Sequence, residues 1–436
     1  MSGLAVVAAI GALAGGVTAG VAGAFGTGSC PSVLAEKADL GRLAFVDRDQ
    51  LKLVELATCR VRTLVGSGVA PPVRWSADGR YLAYGDGNVV AAAGGAPARP
   101  LGRLAAVWPE PAWAWSPTGH RFAGVTAEAG VVVGGPGVAT RRLLADGWGA
   151  TSIAWSPDGR TLAISRSLYG KAPPPYHQEI WLLDLSSSTR TLLLGLRKPE
   201  VAPPWLAGFS PDGRWLLAWE DSWNSSSLAA DGLPLIALRV KGGKPVAIGK
   251  GTLVYSDFLS WCTPGQLAYV LDNGGRQVTL GDQINLAGPP PNWPVVTTPA
   301  GARRDLSFVS PACSPPNLDL FMVAAAAGQA GQDEPFGHEH RAIWLLSLTG
   351  GNWQPLEPSP PGDSSDELPL WSTDAHWIAF IRTTPTGAAG SGRLYLLNLG
   401  AHFNGHTQVV GPIANLGSTS NYYGHYGWAA QIAWYS

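Results

Sequence analysis

The sequence is poor in charge and in the short motifs that usually announce chemistry. Charged residues make up 14% of the 436 positions, and 30 basic side chains against 31 acidic ones leave a formal net charge of -1. Such a balance exerts no long-range pull on nucleic acid or on acidic lipid, so no nucleic-acid partner is expected. There is no Gly-x-Ser-x-Gly elbow, no His-Glu-x-x-His pair and no glycine-rich phosphate loop behind a strand, which argues against the hydrolases, metalloproteases and nucleotide binders that those motifs mark. Four cysteines occur, Cys30, Cys59, Cys262 and Cys313, none in a Cys-x-x-Cys spacing suited to zinc. No cofactor and no metal is indicated.

What the chain has instead is Gly at 56 positions, Pro at 36 and Trp at 19. That mixture suits many short strands joined by tight turns rather than long helices. One apolar run stands apart: Leu4 to Phe25 carries no charge, and no acidic or basic side chain precedes Glu36. With an Ala-x-Ala site at Ala22 and Ala24 it reads as a signal peptide. Its length and the Gly11/Gly15 and Gly16/Gly20 spacings read equally as a packing transmembrane helix. Both readings place the rest of the protein outside the cytoplasm, periplasmic or extracellular, and the second would tether it to the membrane. The expected division is residues 1–28 as signal peptide or anchor helix, 29–40 as linker and 41–436 as one domain. An even cysteine count in an exported chain suits two disulfides, and proximity favours Cys30 with Cys59 and Cys262 with Cys313.

Seven segments repeat: WSADGRYLAY from Trp75, WSPTGHRFAG from Trp115, WSPDGRTLAI from Trp155, FSPDGRWLLA from Phe209, WCTPGQLAYV from Trp261, CSPPNLDLFM from Cys313 and WSTDAHWIAF from Trp371. The first three are 40 residues apart and the later ones 52 to 58, the range of one four-stranded propeller blade. Each unit has a physical reading of its own. An apolar strand delivers a large ring, the turn Pro presets φ, the turn Asp (Asp158, Asp212) bonds nearby backbone N–H groups, and the turn Gly (Gly159, Gly213) takes a positive φ. The returning strand alternates, as at Leu162 and Ile164, and so places side chains on both faces of its sheet. A single sheet cannot bury both faces, so the units are expected to stack in a ring.

WSPDGRTLAI and FSPDGRWLLA resemble the repeat of TolB-like propellers, also found in the propeller domains of prolyl-oligopeptidase and dipeptidyl-peptidase relatives. The resemblance covers residues 40 to 436 and implies an all-β propeller. In TolB it implies a periplasmic protein-binding role. The chain departs from the pattern at Cys262 and Cys313, within or beside the aromatic position of adjacent units, and at Ala375, which replaces the turn Gly. Residues 42 to 65 read as second to fourth strands without a first, and QIAWYS, residues 431 to 436, reads as a first strand without a successor. Pairing Trp434 and its neighbours with the strand around Phe45 would close the ring at eight blades. Six or seven remain open if an early blade, such as 75 to 110, is incomplete.

Ser-Pro-Asp-Gly turns belong to one face of such a ring, whereas the long insertions at 166–179, 219–232, 325–341, 358–371 and 411–428 fall on the other. Loops on a rigid scaffold are where binding concentrates. Candidate binding residues there are Tyr176 and His177, Trp223, His338 and His340, and the aromatic cluster Tyr422, Tyr423, His425, Tyr426 and Trp428. Rings with a polar handle suit stacking on a sugar or anchoring a protein, and the same rings would equally serve to pack a closing blade. The expectation is an exported, non-catalytic scaffold that binds a protein, a peptide or a glycan. The alternative is a propeller hydrolase or lyase with its site at the channel mouth.

Overall fold

The computed structural model describes Leu34 and residues 40–436, apart from 106–110, 169–176, 198–203, 221–231, 263–264, 272–282, 289–292, 300, 302, 304, 316–320, 329–339, 349–350, 358, 387–388, 400–406 and 423. The apolar run at 4–25 and Cys30 lie outside the described residues, within which no helix is long and apolar enough to cross a membrane.

The chain is built from antiparallel strands in eight successive sheets, as an eight-bladed propeller requires. Blade 1 combines Arg42–Asp47, Gln50–Glu55 and Arg60–Val65 with the C-terminal strand Ile432–Tyr435. Blade 2 runs from Val73–Trp75 to Asn88–Ala91, with its outer edge reduced to one bridge between Val89 and Ala98. Blades 3 and 4 begin at Trp113–Trp115 and Ala150–Trp155 and have four strands each. Blades 5 and 6 begin at Trp205–Phe209 and Leu259–Cys262, and a single Thr252 to Leu271 pairing joins their sheets. Blade 7 begins at Leu306–Cys313 and blade 8 at Ser365–Trp371. Blade 8 carries a fifth short strand, His425–Tyr426, paired with the end of Gln408–Tyr422. The early blade that looked short is thus present with a vestigial outer strand, and the count is eight.

The turn chemistry is uniform. Ser156 Oγ donates to Asp158 Oδ1 at 2.6 Å, Asp158 Oδ1 accepts from the Arg160 N–H at 3.0 Å, and Ser156 Oγ accepts from the Thr161 N–H at 2.9 Å. Ser76, Ser210 and Ser372 repeat the arrangement with Asp78, Asp212 and Asp374. Gly159 and Gly213 both sit at φ 67°, and Ala375 takes the same left-handed conformation at 60°, where a Cβ is disfavoured by about 1–2 kcal/mol.

The rings at the repeat position latch neighbouring blades together. Trp75, Trp115, Trp155 and Trp371 each donate their indole N–H to a carbonyl of the preceding blade: Ala433, Arg74, Ala114 and Ala312, at 2.9, 3.1, 2.9 and 2.8 Å. Each acceptor lies one residue before that blade's own repeat position, so the latch runs from unit to unit. Phe209 has no donor with which to continue it. At blade 7 the repeat position is Cys313, and a disulfide to Cys262, with Cα atoms 5.1 Å apart, ties blade 7 to blade 6. No described cysteine is free.

Closure follows the expected register, with Leu43 opposite Trp434 and Phe45 opposite Ile432. The Trp434 indole donates to Leu40 O at 2.8 Å. Leu34 and Leu40, in the segment expected to be a linker, are buried among Leu43, Phe45, Val54 and Trp377, so that segment contributes to the core at the seam.

Candidate functional site

The first strands of blades 1, 2, 6, 7 and 8, with the turn and second strand of blade 5, surround a cavity of about 1200 Å³. The wall is aromatic because the repeat delivers one ring per blade to this radius: Trp75, Trp261, Trp371 and Trp434 line it, joined by Trp215 and Trp293. Ser210, Asp212, Gly265 and Pro315 belong to the turns between first and second strands, so the cavity extends to the turn face. The opposite end is bounded by Asp257, Ala429 and Ile432.

That end is strapped by the C-terminal segment. After the strand Gln408–Tyr422 the chain makes a hairpin through His425 and a short helix, Trp428–Gln431, before entering blade 1. His425 Nε2 meets Asp257 Oδ2 of blade 6 at 3.2 Å, and its ring stacks on Tyr255 with centroids 3.6 Å apart. On the other side Arg74 of blade 2 donates to Ala429 O at 2.9 Å.

Every charged residue of the wall has a hydrogen-bond partner. Arg74 is engaged by the carbonyls of Val73 and Ala429, and Arg214 donates to Asp212 Oδ2 at 2.6 Å. Asp257 accepts from Ser310 Oγ at 2.8 Å as well as facing His425. Burial would raise the Asp257 carboxyl, but the His425 charge and the hydrogen bonds from His425 and Ser310 outweigh it and hold it below its ordinary value. Serine, aspartate and histidine therefore meet here in an order unsuited to acyl transfer. Nucleophilic activation places the imidazole between hydroxyl and carboxylate, whereas in this cluster the carboxylate stands between the other two.

Behind the strap lies a buried ionic seam. Arg341 donates to Glu367 Oε1 at 2.8 Å, Ser365 Oγ donates to the same oxygen at 2.7 Å, and Arg382 grips Asp366 through Nε and a terminal nitrogen at 2.7 Å each. Burial pushes Glu367 up against the opposing pull of Arg341 and Ser365. Glu357 is pushed well above the carboxylate range by burial and by the neighbouring Asp366 charge. Ser310 and Leu368 adopt φ of 50° and 49° at matching register shifts in the first strands of blades 7 and 8. Such bulges re-aim side chains and store strain.

The candidates drawn from the sequence separate into three groups. Tyr176, Trp223, His338 and Tyr423 lie outside the described residues, as does the side chain of His177, whose backbone begins the strand His177–Asp184. His340 and Tyr422 are exposed, Tyr422 at 42%. Tyr426 and Trp428 are buried at 4% and 0%, Trp428 donating to Thr383 Oγ1 at 2.8 Å. The last two therefore pack blade 8 and offer nothing to an external ligand, while His425 binds the strap to blade 6. The repeat residues Trp75, Trp261, Trp371, Trp434 and Asp212, read from the sequence as structural, line the cavity. Asp257, Ser310, Arg341 and Glu367 went unnoticed. Their signal was the acidic residue placed among apolar ones just before a repeat ring, in YSDFLSW and SDELPLW.

No protein-family model matches the chain, and no curated protein matches it. Among solved structures it is similar to dipeptidyl peptidase 4 of Porphyromonas gingivalis, with a TM-score of 0.53 at 12% identity, over 88% of this chain and 58% of that one. The chain thus spans less than two thirds of that peptidase. Further neighbours are the putative TolB from Agrobacterium tumefaciens, with a TM-score of 0.35 at 14% identity over 68% of this chain and 94% of that one, and an oligogalacturonate lyase in complex with manganese, with 0.46 at 13% over 82% and 97%. At these identities the likeness is one of fold alone.

Proposed function

We propose that this protein is an exported, non-catalytic binding module that takes a protein, peptide or glycan segment into its axial cavity. The observation that carries the reading is the cavity wall: six tryptophans, and charged side chains that are each already hydrogen-bonded within the protein. A reacting centre needs polar groups that become better satisfied in the transition state than in the resting protein, and here Asp257, His425 and Ser310 already satisfy one another. Export is supported by the Cys262–Cys313 disulfide, since such bonds persist in oxidising compartments, and by the uncharged run at 4–25. The long-loop face is the binding surface expected from the sequence; the turn residues Ser210, Asp212, Gly265 and Pro315 in the cavity lining support placing the site toward the turn face instead.

The test is to incubate the purified protein with peptide and oligosaccharide libraries, recording retention on the immobilised protein and product formation by mass spectrometry. Retention without turnover is the expected result. Turnover abolished by His425→Ala would overturn the reading in favour of a propeller hydrolase or lyase.

A further inference from the structure

Arginine at position 74 departs from the repeat. The residue just before the repeat position is alanine, glycine, serine or leucine in the other seven units, and arginine in blade 2. The Arg74 carbonyl serves the latch as its counterparts do, accepting from the Trp115 indole at 3.1 Å, so the latch makes no use of the side chain. That side chain belongs to a half-buried residue of the cavity wall. Its Nη1 donates to Val73 O at 3.1 Å and to Ala429 O at 2.9 Å, and two carbonyls orient a guanidinium without neutralising it. The other charged side chains of the wall have ionic partners, Asp212 beside Arg214 and His425 beside Asp257. Arg74 has no acidic partner among the described residues. Its Nε and Nη2 make no hydrogen bond there either, and neither atom is shielded from solvent. These two nitrogens form one edge of the guanidinium. The same edge of Arg382 holds both oxygens of Asp366 at 2.7 Å each, the bidentate geometry for which an arginine fork is suited.

We propose that Arg74 anchors the free carboxy terminus of an apolar peptide held in the axial cavity. The proposal deepens the binding reading given above and rests on it. Three features select the ligand. The open edge of the guanidinium matches the two oxygens of a carboxylate. The wall offers one cation without an acidic partner and no acid without a partner, which suits a ligand with a single negative charge and no ammonium. A polyuronate would bring a carboxylate on every unit, and burying the unmatched ones is costly; a peptide terminus brings one. The rest of the wall is largely aromatic. Trp75 follows Arg74, and Trp434 lies in the adjoining strand of blade 1. Trp261, whose indole takes no part in the latch, joins Trp293 with centroids 5.8 Å apart, and Trp293 joins Trp215 at 4.7 Å. Such rings suit apolar side chains. The volume of about 1200 Å³ exceeds the roughly 300–1,000 Å³ of small-ligand pockets, which leaves room for several residues rather than a single small acid.

The experiment exposes the intact, immobilised protein to an N-acetylated random heptapeptide library in two forms, one with free carboxy termini and one amidated. An oligogalacturonate serves as a polyacidic contrast, and retained species and any products are read by mass spectrometry. Peptides with apolar last residues should be retained from the free-acid form, and their amides should bind about tenfold more weakly or worse. Arg74→Gln should abolish that difference and Arg74→Lys should keep part of it. Arg142→Gln, on the outer strand of blade 3 and paired with Asp146, should leave it intact. Comparing the two forms on the unmutated protein keeps the outcome readable if the Arg74 variants fold poorly. Equal retention of both forms, or a preference for free acids that survives Arg74→Gln, would overturn the anchor while leaving the binding module intact. Retention of the oligogalacturonate in place of every peptide would overturn the choice of a peptide terminus, and retention of nothing would remove the proposal. Peptide turnover would instead overturn the non-catalytic reading beneath it.

Discussion

Glu357 shows how far a single carboxyl can be displaced by its surroundings. Burial and the Asp366 carboxylate hold it well above the ordinary range, and Arg382, committed to Asp366 at 2.7 Å, reaches Glu357 only at 3.5 Å. An acid raised on folding stabilises the protein fully when pH lies below its unfolded value, and that contribution is lost as pH rises toward the folded value. Stability should therefore fall on alkalinisation above about pH 4.5 by about 1.4 kcal/mol per pH unit for this one proton. Glu357→Gln, a near-isosteric neutral replacement, should remove that share of the slope and be the more stable form near neutrality. Denaturant unfolding of both proteins between pH 5 and 8 reads the difference, and parallel slopes would show that Glu357 ionises freely. Residues of this kind were hidden in the sequence. Asp158 and Gly213 were legible because a tight turn constrains its own few residues, whereas Glu357, Asp366 and Arg382 acquire their meaning only when three separate segments are brought together.

At the level of strands and turns, the indole latch and the disulfide are two solutions to one problem, holding a sheet against its neighbour at the inner radius. Where Cys313 displaces the ring, the bond to Cys262 takes over, and the Cys313 N–H donates to Ser260 Oγ of the same neighbour at 3.0 Å. Closing 51 residues restrains the unfolded chain by about 4 kcal/mol in the loop-entropy account, and measured values cluster at about 2–4. A Cys262→Ser and Cys313→Ser double variant should lose about that much in denaturant unfolding, with blades 6 and 7 becoming the first segments cut in limited proteolysis. A loss within error, with unchanged cleavage, would mean that strand packing alone seats blade 7. The pairing was legible because the repeat register put Cys313 at the ring position of one unit and Cys262 beside that position in the adjacent one. The vacated latch in blades 5 and 6 was not, since the sequence shows a Trp at 261 without showing what its N–H meets, and Trp293 belongs to no repeat.

The ring as a whole depends on a seam that spans almost the full length of the chain. The strand Ile432–Tyr435 supplies the innermost edge of blade 1 through four residue pairs with Arg42 to Phe45, accepts the Trp75 latch at Ala433 O, and sends Trp434 back to Leu40. The sequence pattern made this visible, since residues 42–65 read as strands without a first and residues 431–436 read as a first strand, and the two pair. The path of the strap was not visible, because it is fixed by contacts between distant segments, His425 reaching Asp257 and Arg74 reaching Ala429. Removing residues 432–436 should act on the whole circle rather than on one blade. Blade 1 would lose its inner strand, blade 2 its latch acceptor, and the strap its downstream anchor. The expected result is a lower and broader thermal transition, with proteolytic cuts appearing between residues 42 and 65. Trp434→Ala, which keeps the backbone ladder and deletes the ring, should give a smaller shift in the same direction. If the truncated protein melted as sharply and as high as the intact one, the noncovalent seam would not be what holds the eight sheets as one cooperative unit.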